Sequence, residues 1–297
     1  MSKKISPPSG FLLIKKGKLS ILVRNDYKTW MLDFCEKNLT DLFHSSKEPP
    51  HYFEGRKRYP TIMFPDGKRG VVRQYSHGGL LRFFTGDLFI FGARSFHELI
   101  LTEEIRQSGI PTVKPIAAIH QTLAPPFYRP YLLTLEVPNA LNLVQYFEKL
   151  GPIPNRDALL HKRKIIRSAG LLLRKFHQAG FYHRDLQLKN LLISGDEVLI
   201  IDFDRSYRKA SLAPRERIKN LLRLNRSADK WKDFGLSISQ TDRLRFLYAY
   251  AGGDKKIFGE IRKALLLYSV SLFFHRLVWK IQKFLKKVRS GSLRSWV

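Results

Sequence analysis

A single cysteine, Cys35, in 297 residues excludes an intramolecular disulfide framework and a zinc cluster built on cysteines. Its place in a helix-like stretch marks it as a small apolar residue rather than a reactive thiol. Long apolar runs are equally scarce. The run from Ala264 to Phe274 is well short of the roughly 20 residues that cross a bilayer. The opening residues, with Lys3 and Lys4 leading into Pro7, Pro8 and Gly10, do not read as a signal peptide, so a cytoplasmic location is expected. Acidic side chains are the third shortage: 25 Asp and Glu stand against 53 Lys and Arg, a net charge of +28. From residue 205 onward there are 23 basic side chains and 6 acidic ones. Such a field draws polyanions: nucleic acid, anionic lipid headgroups or a phosphorylated substrate.

What is present is concentrated at the centre of the chain. His183-Arg184-Asp185-Leu186-Gln187-Leu188-Lys189-Asn190 is followed, twelve residues after the Asn, by Asp202 in Leu199-Ile200-Ile201-Asp202-Phe203-Asp204. A loop Asp can accept the proton of a substrate hydroxyl. An Asn five residues on can reach a metal ion, and an Asp at the end of a hairpin can hold Mg²⁺ against nucleotide phosphates. Carboxylate and amide oxygens are hard ligands suited to Mg²⁺. The context matches a kinase C-lobe: a helical run from Ile165 to His177 stopping at Gly180, then the loop, then strands Leu191–Ile193 and Val198–Ile201 joined by a Ser194–Glu197 turn. Asp185 is therefore read as the base, and Asn190 and Asp202 as metal ligands. Lys189 can steady the transferred phosphoryl group or serve as a surface charge. His183 is read as a structural loop residue.

Upstream, Phe11–Ile14 and Leu19–Val23 pattern as a strand hairpin and Thr29–Phe43 as a helix. Glycine is sparse where a phosphate-covering loop is expected: within Phe53–Phe64 there is only Gly55, beside Arg56, Lys57 and Arg58. Gly70–Tyr75 has the character of the strand that bears the nucleotide lysine, with Arg73 in that place. Glu98, in a helical segment from Ser95 to Ile105, is the carboxylate expected to orient Arg73, while Glu103 and Glu104 are expected to face solvent. Leu132–Pro138 reads as the hinge between lobes, with backbone groups near Glu136 and Val137 facing adenine.

With these residues in place the chain resembles the lipopolysaccharide core kinases, the family of the Kdo kinases and the WaaP heptose kinases, from about Gly70 to Leu247. The resemblance is carried by Arg73 to Leu80, Gly109-Ile110-Pro111, His183 to Asn190, Ile201 to Arg205, and Asn220 to Ser227. Tyr75 with Gly78-Gly79-Leu80, and Asp202-Phe203-Asp204-Arg205 in place of Asp-Phe-Gly, are more like Kdo kinases than heptose kinases. The resemblance implies a two-lobed, protein-kinase-like α+β fold and ATP-dependent phosphorylation of a hydroxyl of 3-deoxy-D-manno-octulosonic acid (Kdo) on lipid A. It also implies an Arg at the nucleotide-lysine position. A heptose kinase, a small-molecule or protein Ser/Thr kinase, and a pseudokinase that binds membrane or nucleic acid remain the alternatives.

The expected organisation is a nucleotide-binding lobe over residues 1–135, a catalytic lobe over 136–260 and a basic amphipathic helix over 261–297. In that helix Val270, Phe273, Leu277, Ile281, Phe284 and Val288 recur at steps of three and four, with Arg276, Lys280, Lys283, Lys286 and Lys287 largely off the apolar face. Such a helix can lie in a membrane interface or pack on the kinase core. A peripheral position on the cytoplasmic face of the bacterial inner membrane is expected, with Kdo-lipid A and the anionic membrane surface as partners and no nucleic acid.

Overall fold

The computed structural model describes residues 6–37, 52–53, 59–76, 88–90, 92–151 and 154–268. Strands β1 (Phe11–Lys16) and β2 (Leu19–Arg24) form the expected hairpin. They are joined by β3 (Tyr52–Phe53), β4 (Tyr59–Met63), β5 (Arg69–Gln74), β6 (Phe89–Ile90), β7 (Pro115–Ala124) and β8 (Phe127–Leu135). The eight strands make one antiparallel sheet, ordered β1-β2-β7-β8-β5-β4-β3, with β6 paired to β8.

Period-two alternation explains why both sheet faces are covered. Ile21, Val23, Ala117, Ile119 and Leu133 pack with Met31, Phe34 and Cys35 of helix α1 (Lys28–Lys37). Leu22, Ala118 and Leu132, one residue out of step, pack with Phe96 and Leu99 of helix α2 (Arg94–Gln107). Burial pushes the Cys35 thiol up to about 12, so it is an inert core residue. The part of the expected first helix beyond Lys37, and the basic loop Gly55–Arg58, lie outside the described residues.

From Leu141 the chain is mainly helical: β9 (Leu141–Asn142), α3 (Leu143–Leu150), α4 (Arg156–Gln178), β10 (Phe181–Tyr182), β11 (Leu191–Ser194), β12 (Glu197–Ile200), β13 (Tyr207–Arg208), α5 (Pro214–Asp233), α6 (Gln240–Ala251) and a further helical stretch, residues 255–268. Helix α4 begins at Asn155, whose side chain accepts from the Ala158 N–H at 2.8 Å. Its buried face, Ile165, Ile166, Ala169, Leu172, Leu173 and Phe176, holds the core of this region. A Cβ on Gly170 would lie 2.6 Å from the Phe246 carbonyl oxygen, so glycine lets α6 approach closely. At Gly180, φ is +83°, the left-handed turn that ends α4 and starts the catalytic loop. Strand-rich and helical parts together make the two-lobed, protein-kinase-like α+β fold.

One expectation fails on helix α2. Glu103 does not face solvent: its side chain is buried, with Oε2 accepting from Arg24 Nη2 at 2.6 Å and Arg106 Nε at 2.9 Å. Arg24 also donates to the Pro115 carbonyl at 3.2 Å and lies 4.5 Å over the Phe11 ring. A carboxylate enclosed by two guanidinium groups is stable without water. Glu104 is half-buried. Among the described residues no helix is long and apolar enough to cross a membrane. The amphipathic face from Val270 to Val288 lies outside them.

Candidate active site

The two lobes meet over a cleft of about 330 Å³. Its walls include Arg73, Glu136, Val137, Asp185, Lys189, Asn190 and Asp202, seven side chains singled out from the sequence. The eighth, Glu98, sits behind Arg73 and accepts a hydrogen bond from its Nη2. Strand β5 carries Arg73 and helix α2 carries Glu98, so the sheet's register sets their contact.

The Arg73 guanidinium is shared. Nη1 donates to Asp202 Oδ1 at 2.5 Å, and the group lies 4.5 Å over the Tyr75 ring. Tyr75 donates its own hydroxyl to Glu98. Burial pushes the Glu98 carboxyl up to about 7, against the pull of the Arg73 guanidinium. Asp202 is lowered instead: burial opposes it, but Arg73 outweighs burial. Asp202 has φ +67° and Arg205 φ +57°, so the backbone turns sharply on both sides of Phe203. Nε of Arg73 is buried and, among the described residues, has no hydrogen-bond partner, a donor suited to a phosphate oxygen.

The catalytic loop is held from below. His183 is buried; its Nδ1 accepts from the Asp185 N–H at 3.1 Å, which places the proton on Nε2, 2.9 Å from the Ile201 carbonyl. Burial lowers its pKa, so the neutral ring is a strut between loop and hairpin. Asn220 of α5 grips His183 twice, accepting from its N–H at 3.1 Å and donating to its carbonyl at 2.7 Å. Ser227 Oγ, two turns on, accepts from the Leu188 N–H at 3.2 Å. Asp185 stands above this base, accepting from Gln187 Nε2 at 2.6 Å and facing Arg223 Nη1 at 3.4 Å. Lys189 Nζ lies 4.7 Å over the Trp231 ring.

Asn190 donates its side-chain amide to the Asp185 carbonyl at 2.8 Å, which leaves its amide oxygen as an acceptor in the cleft that Asp202 also lines. One carboxylate and one amide oxygen fit Mg²⁺, which takes few protein ligands and completes its shell with phosphates and water. Among the described residues there is no group of three or more His, Cys, Asp or Glu, so a cage made wholly of protein is not offered. At the hinge, the Glu136 N–H is donated to the Arg69 carbonyl at 2.9 Å, and the Val137 carbonyl accepts from Ala140 at 3.3 Å. Among the described residues, that leaves the Glu136 carbonyl and the Val137 N–H as the unengaged backbone groups of this segment.

A model of the lipopolysaccharide kinase (Kdo/WaaP) family matches residues 46–250. The chain belongs to this family. Among its relatives, the 3-deoxy-D-manno-octulosonic acid kinase of Vibrio cholerae serotype O1 is 34% identical over 167 residues, 54% of this chain and 66% of that protein. The kinases of the same name from Pasteurella multocida and Xanthomonas oryzae pv. oryzae are 31% and 33% identical, over 66% and 61% of their lengths. The chain thus spans just under two thirds of the length of the curated relatives it matches. A solved structure, WaaP in complex with acyl carrier protein, superposes with a TM-score of 0.48 at 20% identity, over 74% of this chain and 89% of that one. The family assignment rests on the matched model.

Several supports escape a reading of the sequence. Arg94 at the start of α2 makes a two-pronged ion pair with Asp204, Nε to Oδ1 at 2.5 Å and Nη2 to Oδ2. Its guanidinium also lies 5.4 Å over Tyr75 and 5.2 Å over Phe89. The signal was the second acid of Asp202-Phe203-Asp204, but its partner lies 110 residues upstream. Asn220, Arg223 and Ser227 fall in a stretch singled out by resemblance alone, and the structure puts all three against the catalytic loop.

Proposed function

We propose that this protein transfers the γ-phosphoryl group of ATP to a hydroxyl of a Kdo residue on lipid A. The observation that carries the reading is the convergence of Arg73, Asp185, Asn190 and Asp202 on one cleft in a chain of the lipopolysaccharide kinase family. Asp185, exposed at the mouth, takes the acceptor hydroxyl's proton as its oxygen bonds to phosphorus and the bond to the bridging oxygen of ADP breaks. Asn190 and Asp202 hold Mg²⁺, which when bound neutralises charge on the phosphates. Arg73 contacts those phosphates and Glu98, braced by Tyr75, fixes its direction. Glu136 and Val137 receive adenine, and Lys189 lies along the phosphoryl path. Residues 1–135 are assigned to nucleotide binding, 136–260 to catalysis and 261–297 to a basic amphipathic helix.

The net charge of +28 supports work on an anionic, lipid-borne acceptor at the cytoplasmic face of the inner membrane. The test is parallel incubation with labelled ATP and Mg²⁺ of Kdo-lipid A, heptosylated lipid A and a generic protein. Label entering Kdo-lipid A is expected. Label in heptose alone makes the protein a heptose kinase, and label in protein alone overturns the lipopolysaccharide reading. Sedimentation with anionic but not neutral vesicles is expected of a peripheral enzyme.

A further inference from the structure

Arg223 pairs with the proposed base, and among the described residues its hydrogen bonding is incomplete. A guanidinium offers five N–H donors in a planar fork. Here Nη1 makes one long contact, 3.4 Å, to Asp185 Oδ1, and Nε is buried with no partner. Asp185 does not depend on that contact for its orientation, because Gln187 Nε2 holds the other carboxylate oxygen at 2.6 Å. Arg223 is nevertheless firmly placed. It stands on α5 between Asn220 and Ser227, the two side chains that tie this helix to His183 and Leu188. An arginine on an anchored helix, with spare donors and its one contact on a carboxylate of the cleft wall, lacks a full anion partner.

The surroundings favour an anion arriving from solvent. Lys219, one turn before Arg223, and Arg226 and Lys230, after it, share one flank of α5 at helical steps of three and four, and all three are exposed. Arg184, next to the base, is exposed as well. The nearby acids are already engaged: Asp229 with Arg243 at 2.7 Å, and Asp204 with Arg94. The acceptor mouth is therefore a positive field around one poised guanidinium.

We propose that Arg223 binds the carboxylate of the acceptor sugar, so that the enzyme selects an acidic sugar by pairing its carboxylate beside Asp185. This rests on the reading of the acceptor as Kdo, an acid, and it deepens that reading by assigning the group that recognises the acid. On binding, the acceptor carboxylate takes the Arg223 donors in two-pronged fashion, and Asp185 exchanges the long Arg223 contact for the acceptor hydroxyl.

The test compares Kdo-lipid A with the same molecule esterified at the Kdo carboxylate, using labelled ATP. The wild-type enzyme is expected to prefer the free acid by roughly ten- to a hundredfold in kcat/KM, the loss typical of a hydrogen bond to a charged group. Arg223→Gln is expected to use the two alike within about threefold, with the KM for ATP unchanged within about twofold. Arg223→Lys, which keeps the charge but not the fork, is expected to retain an intermediate preference. Undiminished preference in Arg223→Gln overturns the assignment, as does a parallel rise in the KM for ATP, which would mark a purely structural residue. Equal use of acid and ester by the wild type overturns the assignment and leaves the Kdo kinase reading standing. Labelling of neither overturns both.

Discussion

The two sides of the cleft are built by opposite rules. On the nucleotide side, Arg73 and Glu98 are 19% and 3% exposed, packed against Tyr75 and fixed by short ion pairs. On the acceptor side, Asp185 and Arg223 are 51% and 29% exposed and joined by one long contact. Buried charge is tolerable only beside its counter-charge, and Arg73 has two, Glu98 and Asp202, so the first arrangement is held in place before ligand arrives, with Nε alone unpartnered among the described residues. A partly exposed pair at 3.4 Å contributes little and yields easily to a better partner. On the proposed roles, the nucleotide meets a preformed socket, whereas the acceptor enters and leaves through a wet mouth.

The largest effect should separate the sides outright. Asp185→Ala is expected to lower turnover by roughly 10²–10⁴-fold, the contribution of a general base, while nucleotide affinity stays within a few-fold. Asp202→Ala is expected to lose Mg²⁺-dependent nucleotide binding as well as turnover, because it removes the proposed metal ligand and a partner of Arg73. Titrating a fluorescent ATP analogue with and without Mg²⁺ distinguishes them; equal loss of affinity in both variants would show that the side of the cleft does not decide the role.

The next effect tests rigidity. Arg73→Ala leaves Glu98 buried without its cation, so it is expected to destabilise the fold by about 3 kcal/mol and to cut activity roughly a hundredfold. Arg73→Lys should recover part of both, since one ammonium cannot reach Glu98 and Asp202 as the guanidinium does. Arg223→Ala, by contrast, should leave the thermal midpoint nearly unmoved. An Arg73→Ala protein as stable as wild type would erase the distinction between a locked and a loose side.

What could be read in advance follows the range of the interactions. The catalytic loop and hairpin are contiguous, and their roles follow from residue types spaced along a few turns of chain. Arg73 and Glu98, 25 residues apart, can be paired from the sequence because strand and helix patterns place them. Glu103 was misread because its cation, Arg24, comes from a strand 79 residues earlier, and a single acid on a helix carries no mark of a distant partner. Arg94 with Asp204 and Arg223 with Asp185 escaped for the same reason. The extended pattern of Leu132–Pro138 is legible in the sequence, but that the Glu136 N–H is taken by the Arg69 carbonyl depends on sheet register, which alternation alone does not give.

The smallest effect is one of pH and belongs to the locked side. Ionised Glu98 holds Arg73; with its carboxyl raised to about 7, acidification through neutrality protonates it and frees the guanidinium. Near pH 7 about half the molecules should therefore be affected, a roughly twofold fall in kcat/KM that deepens below it. Glu98→Gln imitates the protonated form and should lack that limb while running at the wild type's acid-limb rate. Stability runs the other way. Because the folded carboxyl lies above its ordinary 4.5, the native state binds more protons than the unfolded chain between about 4.5 and 7. The Glu98 contribution is therefore present below that window and declines as pH rises through it. Thermal midpoints of wild type minus Glu98→Gln should fall across that interval while activity rises. A flat difference would place the neutral-pH limb on another group and leave Arg73 held at every pH.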